Sequence, residues 1–153
     1  MSAVLKPQAQ FEPMKERDLS AVLEIERRIY AFPWTLGNFI DSLRTGYSCW
    51  VCRDGTMLVG YAIVTIAGGE AHLLNLSIND LYQNCGHGSA MLAHMAEVAR
   101  KQGAVRLFLE VRPSNEAGRR LYRRHGFRRI GVRRDYYPAP AGREDAWVLA
   151  LTL

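Results

Sequence analysis

No stretch of this chain approaches the ~18 consecutive apolar residues that a membrane span requires, and no apolar run follows a basic cluster near its start. The expectation is therefore a cytoplasmic chain with no membrane contact. Cysteine is scarce as well: Cys49, Cys52 and Cys85 cannot make a disulfide framework. "CWVC" has redox or zinc spacing, but it lies in "YSCWVCRDG", which reads as a strand entering an Asp54-Gly55 turn. Residues three apart on a strand point to opposite faces, and no second ligand pair follows, so core cysteines are expected. The four histidines are scattered, and no metal site is expected. Repeats, low-complexity tracts and linkers are absent, which leaves residues 1–153 as a single domain. Helix-turn-helix, zinc-finger and RNA-recognition patterns are also missing, which argues against direct nucleic-acid readout.

What is present is an ordinary globular composition with a net charge of +5, skewed toward "RRLYRRHGFRRIGVRRD", Arg119 to Asp135, with eight arginines. Such a band is either a solvated face or a surface for an anionic partner.

The hydrophobic periodicity gives an element order. "QFEPM", Gln10 to Met14, is an opening strand, and Asp18 is placed to cap a helix carrying Leu19, Val22, Leu23, Glu26, Ile29 and Tyr30. Phe32-Pro33-Trp34 breaks it, and Thr35 caps a second helix to about Leu43. Strands follow at Tyr47 to Arg53, Met57 to Ile66 and Ala71 to Ile78. A helix then runs to about Gln102, "VRLFLEV" is a strand, and a helix from Asn115 to about His125 precedes a last pair of strands. Hairpins followed by strand–helix–strand crossovers predict an α+β fold: a central mixed, mostly antiparallel sheet flanked by helices.

"QNCGHGSA", Gln83 to Ala90, sits between a strand and a helix. A helix N-terminus offers unpaired N–H groups and a positive dipole end, and Gly86 and Gly88 remove the Cβ atoms that hold a phosphate away. The Walker lysine is missing, and Met91 stands where a dinucleotide fold wants a small residue. Taken alone, the turn is either a phosphate cradle or a flexible helix entry.

Glu110 and Tyr122 are the candidates for acid–base chemistry. Alternation along the strand puts Leu107, Leu109 and Val111 on one face and Glu110 with Arg112 on the other, so Glu110 is either a base or an Arg112 ion-pair partner. Tyr122 shares a helix face with Asn115 and Gly118. It is either an acid or a core aromatic, and a glycine inside the helix suggests that something approaches closely there.

Gln83-x-x-Gly86-x-Gly88 after a strand resembles the coenzyme A pyrophosphate loop of the GCN5-related N-acetyltransferase (GNAT) superfamily. "FLEVRPSNEAGRRLYRRHGF" resembles that family's Asn-x-x-Ala-x-x-Leu-Tyr-x-x-x-Gly-Phe signature. "AFPW" at Ala31, "LEVRPSN" at Leu109, and "RDYYP" with "GREDA" at Arg134 to Ala146 are similar to its RimI-type branch, which acetylates the N-terminal alanine of small-subunit ribosomal protein eighteen. The resemblance covers nearly the whole chain. It implies a GNAT fold and acetyl-CoA as cosubstrate. The acceptor would be a protein N-terminus, that of the same ribosomal protein, attacked directly rather than through a Cys85 acyl intermediate. It implies Glu110 as base, Tyr122 as acid and Asn115 as a coenzyme ligand. Leu76, Ser77 and Ile78 would bond the pantetheine through their backbone, and Asn84, Cys85, Gly86, His87, Gly88 and Ser89 would take the pyrophosphate. The branch usually carries a basic residue at Asn84 and an aliphatic one at His87, so His87 or the late arginines would have to supply the phosphate's cation. Trp34, Tyr136 and Tyr137 are expected to form a slot for the acceptor, with Glu144 or Asp145 attracting its amine. A GNAT enzyme acting on lysine or a small amine, and a non-catalytic coenzyme-binding module at the ribosome, are the alternatives. A monomer is the default.

Overall fold

A computed structural model describes residues 9–153. Seven strands form one sheet: β1 (Gln10–Pro13), β2 (Ser48–Asp54), β3 (Met57–Ala67), β4 (Glu70–Ile78), β5 (Arg106–Val111), β6 (Arg128–Ala139) and β7 (Gly142–Thr152). Their order is β1-β2-β3-β4-β5-β7-β6. The β1–β2, β5–β7 and β6–β7 pairs are antiparallel, and β4 runs parallel to β5. A parallel pair needs a crossover, and α3 (His87–Lys101) supplies it. The remaining helices are α1 (Leu19–Ile29), α2 (Leu36–Arg44) and α4 (Glu116–Arg124). The mixed α+β sheet is the one expected, with strand and helix limits within a residue or two.

The contacts gather into two compact units. The first takes in the described residues up to Ile63 together with Asn75–Met91, and the second holds Val64–Leu74 and Leu92–Leu153.

In the first unit, α1 buries Leu19, Val22, Leu23 and Ile25 at helical spacing. Thr35 caps α2 as expected, its hydroxyl accepting the Asn38 N–H at 3.2 Å. Asp18 does not cap α1. It closes a 3₁₀ turn, Glu16–Asp18, by accepting the Lys15 N–H at 2.8 Å, and it is buried against Arg53. Its charge is answered by a cation from β2 rather than by helix N–H groups, which periodicity along α1 does not reveal. Cys49 and Cys52 are both buried on β2, and burial pushes each thiol up to about 11, as core cysteines require.

Glu26 also lies on the buried face of α1, only 1% exposed. It accepts from the Tyr61 hydroxyl at 2.7 Å, the Trp34 N–H at 2.9 Å and Asn75 Nδ2 at 3.3 Å. An isolated buried carboxylate is costly, and three donors offset that cost.

In the second unit, β5 presents Leu107, Leu109 and Val111 to the core, where they join Leu92, Met95, Ala99, Phe127, Ala146 and Leu149. β6 forms the sheet edge and breaks register twice, at Arg129/Gly131 and at Arg133/Tyr137. At the second break Asp135 adopts φ +51°, a left-handed conformation that Asp tolerates better than most residues.

Candidate active site

The same alternation that buries Leu107, Leu109 and Val111 leaves Glu110 on the other face of β5. Its side chain is nevertheless only 9% exposed, because neighbours on both sides cover it. His72 Nε2 from β4 contacts Oε2, and Arg133 Nε from β6 donates to Oε1 at 3.1 Å. The parallel register sets His72 opposite Phe108, one step diagonally from Glu110. Burial raises the proton affinity of Glu110. The hydrogen bonds and charges of His72 and Arg133 outweigh that effect and hold the carboxyl below its ordinary range. Arg112, the alternative partner for Glu110, has other partners. It donates to Pro138 O at 2.8 Å and Glu144 Oε1 at 3.2 Å, and lies over the Tyr137 ring at 4.3 Å.

Glu144 is therefore already engaged. Besides Arg112 it accepts the Ser114 N–H at 2.9 Å and the Ser114 hydroxyl at 3.0 Å. Burial pushes its pKa up, but these donors bring it below the usual carboxylate value. Asp145 accepts the Asp135 N–H at 2.9 Å, and Arg143 donates to the carbonyls of Asp135 and Tyr136 at 2.8 and 2.9 Å. Together they hold the irregular bend of β6. That bend carries Tyr136 and Tyr137, whose rings meet edge-on at 4.8 Å. Glu110, Arg133, Tyr136 and Tyr137 thus form one cluster, while Glu144 and Asp145 serve as braces within it.

On α4, Asn115 is the N-cap, its Oδ1 accepting the Gly118 N–H at 3.0 Å. That contact explains Gly118. A Cβ there would stand 2.6–3.0 Å from three atoms of the Asn115 side chain, so the group that approaches is the cap itself. Tyr122 is buried and packs edge-on against Phe127 at 5.6 Å. Its aromatic body therefore belongs to the core.

The first unit holds the other candidates. Ser77 is buried, donating to Asn75 Oδ1 at 2.6 Å and bonding the Tyr30 hydroxyl at 2.6 Å, so only its backbone remains for a ligand. The Tyr30 hydroxyl, further than usual from losing its proton because of burial, also reaches Leu76 O at 3.4 Å. Gln83 Nε2 ties down Ile78 O at 3.1 Å. Beyond it the chain turns through two left-handed residues, Asn84 at φ +61° and Gly86 at φ +84°, into α3. Alternating left-handed residues make a concave run of N–H groups, and Asn is among the few side chains that accept this conformation. Nothing lies within 4 Å of where a Gly86 Cβ would stand. Open space, bare backbone and a helix N-terminus fit a pyrophosphate. His87 offers backbone only, since its side chain is buried edge-on to Tyr82 at 5.7 Å. A phosphate-facing histidine is thereby corrected. Cys85 is exposed, its thiol donating to Gln83 O at 3.4 Å. Trp34 is half-buried against Phe39, with ring centroids 5.2 Å apart.

A family model for the acetyltransferase (GNAT) family matches residues 19–127. The chain belongs to that family. Over 140 residues it is 36% identical to the [ribosomal protein bS18]-alanine N-acetyltransferase of Escherichia coli strain K12, covering 92% of this chain and 95% of that one. The crystal structure of the ribosomal-protein-S18-alanine N-acetyltransferase from Escherichia coli superposes with a TM-score of 0.88 at 35% identity, covering 95% and 94% of the two chains. Arabidopsis thaliana NAA60 in complex with acetyl-CoA shares the fold at a TM-score of 0.86 and 17% identity, over 95% and 99% of the two chains.

Against this GNAT frame, sequence reading overlooked His72 and Arg133, the two groups that hold Glu110. It placed Glu26 on the helical stripe of α1 without a role, whereas its carboxylate fixes the backbone at Trp34. A polar residue at a buried helical position was the available signal for Glu26. For His72 the signal was a titratable side chain on the strand that precedes the crossover helix leading to β5.

Proposed function

We propose that this chain transfers the acetyl group of acetyl-CoA to the α-amino group of a protein N-terminus, its natural acceptor being the N-terminal alanine of ribosomal protein bS18. The observation that carries this reading is the 36% identity, across 92% of the chain, to the enzyme named for that reaction. The cluster around Glu110 supports it chemically.

When bound, acetyl-CoA supplies an activated thioester. The N–H groups of Asn84, Cys85, Gly86, His87, Gly88 and Ser89 hold the pyrophosphate, with the α3 N-terminus adding its dipole. Main-chain groups of Leu76, Ser77 and Ile78 align the pantetheine arm and polarise the acetyl carbonyl. A free α-amino group has a pKa of roughly 8, so most of it is protonated at neutral pH and cannot attack. Glu110, kept anionic by Arg133 and His72, is the carboxylate of the site that removes this proton. The neutral amine then attacks directly. Tyr122 gives its proton to the departing thiolate, and Asn115 assists beside it. In the second unit Tyr136 and Tyr137 are the candidates for contacting the acceptor peptide, and Trp34 is the candidate in the first.

The test is thiol release from acetyl-CoA with two peptides, checked by mass spectrometry. One peptide has a free N-terminal alanine, and the other a blocked N-terminus with internal lysines. Acetylation of the first alone is expected, with Glu110→Gln and Tyr122→Phe each lowering turnover about 10²-fold or more while acetyl-CoA still binds. Acetylation of the second alone would replace the reading with a lysine acetyltransferase.

A further inference from the structure

A buried carboxylate fixes the direction of a chain of hydrogen bonds in the first unit. As a carboxylate, Glu26 can only accept, so Asn75 turns its Nδ2 toward it at 3.3 Å and its Oδ1 away. Ser77 gives its one hydroxyl proton to that Oδ1 at 2.6 Å. With the serine proton so placed, the 2.6 Å contact between Ser77 Oγ and the Tyr30 hydroxyl has the tyrosine as donor. The protons therefore all point inward, from Tyr30 to Ser77 to Asn75 to Glu26. The outer end of the chain presents lone pairs. That end is Tyr30, the residue that closes α1, which is 37% exposed while the other three are buried.

The phenol oxygen lies beside the main chain of β4. Ser77 O would stand 2.6 Å from a Cβ on Gly60, and the Asn79 N–H bonds Val59 O at 2.8 Å, so these two residues of the β4 segment look toward β3. Alternation turns the main-chain groups of Leu76 toward the opposite edge. The register of β4 with β5 ends at Leu73↔Leu109, before Leu76 is reached. Leu76 O lies 3.4 Å from the Tyr30 oxygen, longer than an ordinary O–H···O bond, and the phenol's proton is on the closer Ser77. Two hydrogen-bond acceptors thus stand side by side with no proton between them. The phenol stays neutral, since burial pushes its pKa up to about 12.

Resting on the acetyltransferase reading, we propose that Tyr30 is an acceptor-binding residue: its oxygen and Leu76 O each take an N–H of the attacking primary amine, which selects an unsubstituted α-amino group. A pair of acceptors calls for a donor with two N–H groups. A neutral primary amine has two and keeps its lone pair for the acetyl carbon, whereas a secondary amide, as in the pantetheine arm, has one. The Leu76 N–H remains for the acetyl carbonyl, which places both reactants at one residue of β4. Tyr30 neither gives nor takes a proton in the reaction, and Glu110 keeps its role as base.

Tyr30→Phe removes the oxygen and keeps the ring. Its kcat/KM on the alanine peptide is expected to fall about tenfold, with the Kd for acetyl-CoA, measured by calorimetry, unchanged. The wild-type preference for the alanine peptide over an N-methylalanine peptide, which lacks one N–H, should narrow by a similar factor. Ser77→Ala leaves the Tyr30 proton undirected, so it should cause part of the same loss and add nothing to Tyr30→Phe in the double variant. If Tyr30→Phe stays within twofold of wild type, or the two changes multiply, the inference falls and the acetyltransferase reading stands. A weaker acetyl-CoA Kd with the peptide preference intact would hand the phenol to the coenzyme and overturn it equally. A wild-type protein that leaves the alanine peptide unmodified would overturn both.

Discussion

Replacing Tyr61 by Phe removes one oxygen from the core of the first unit and leaves its volume otherwise unchanged. Tyr61 is fully buried, and its hydroxyl lies 2.7 Å from Glu26, itself 1% exposed. Hydrogen bonds to charged groups contribute about 1.5–3 kcal/mol, and solvent screening does not reduce this one. The Trp34 N–H and Asn75 Nδ2 remain on the carboxylate, so the loss is partial rather than that of an unpaired buried charge. A cost of about 2 kcal/mol is expected, or a fall in Tm of roughly 4–8 °C for a chain of this size. Urea unfolding of Tyr61→Phe, Glu26→Gln and the double variant measures the coupling directly. If Tyr61→Phe costs less than about 0.5 kcal/mol, or the two changes simply add, Glu26 does not depend on this donor and the account of the core is wrong. The Tyr61 pKa, pushed far up first by burial and then by Glu26, introduces no pH dependence near neutrality, because the phenol is neutral in both folded and unfolded chains.

Three further expectations concern single positions. Gly118→Ala should destabilise the fold by about 1–3 kcal/mol through overpacking on Asn115, and the penalty should largely vanish in an Asn115→Ala background, itself costing about 1 kcal/mol for the lost cap; equal penalties in both backgrounds would refute the steric account. Gly86→Ala forces a side chain into φ +84° and should weaken acetyl-CoA binding, measured by calorimetry, at least tenfold; unchanged affinity would mean that the turn does not hold the phosphate. Because the folded pKa of Glu110 is depressed, the stability it contributes is full above the unfolded value near ~4.3 and is lost as pH falls through the lower folded value. Arg133→Ala should move that loss to higher pH in melts between pH 3 and 7, and an unshifted profile would show that Arg133 contributes nothing to holding the charge.

The fold was legible because its signals are local. Apolar residues at Leu19, Val22 and Leu23 follow the helical period, and Thr35 with Asn38 spells a cap. Asp54-Gly55 marks a hairpin, and the alternation of "RLFLEV" matches its burial residue by residue. What failed was equally local reasoning applied to groups whose partners are distant. Asp18 looked like a cap because caps are read from the next three residues, whereas its partner Arg53 comes from β2. Gly118 looked like a ligand contact because the helix alone does not show where the Asn115 side chain lies.

The same distinction divides the candidate site. Glu110 could be singled out from one strand, but its chemistry is written by residues 38 and 23 positions away in the chain. Arg112, two positions along, was the natural partner by spacing. It is drawn off by Glu144, the Pro138 carbonyl and the Tyr137 ring, which only the pairing of β5 with β7 and β7 with β6 brings within reach. Once Arg112 is so engaged, Glu110 would be a covered anion without a counter-charge unless another strand supplied one. Arg133 does so from β6, which gives at least one arginine of the late basic band a specific task. Strand register thus converts a run that reads as surface charge into the element that keeps a buried carboxylate ionised.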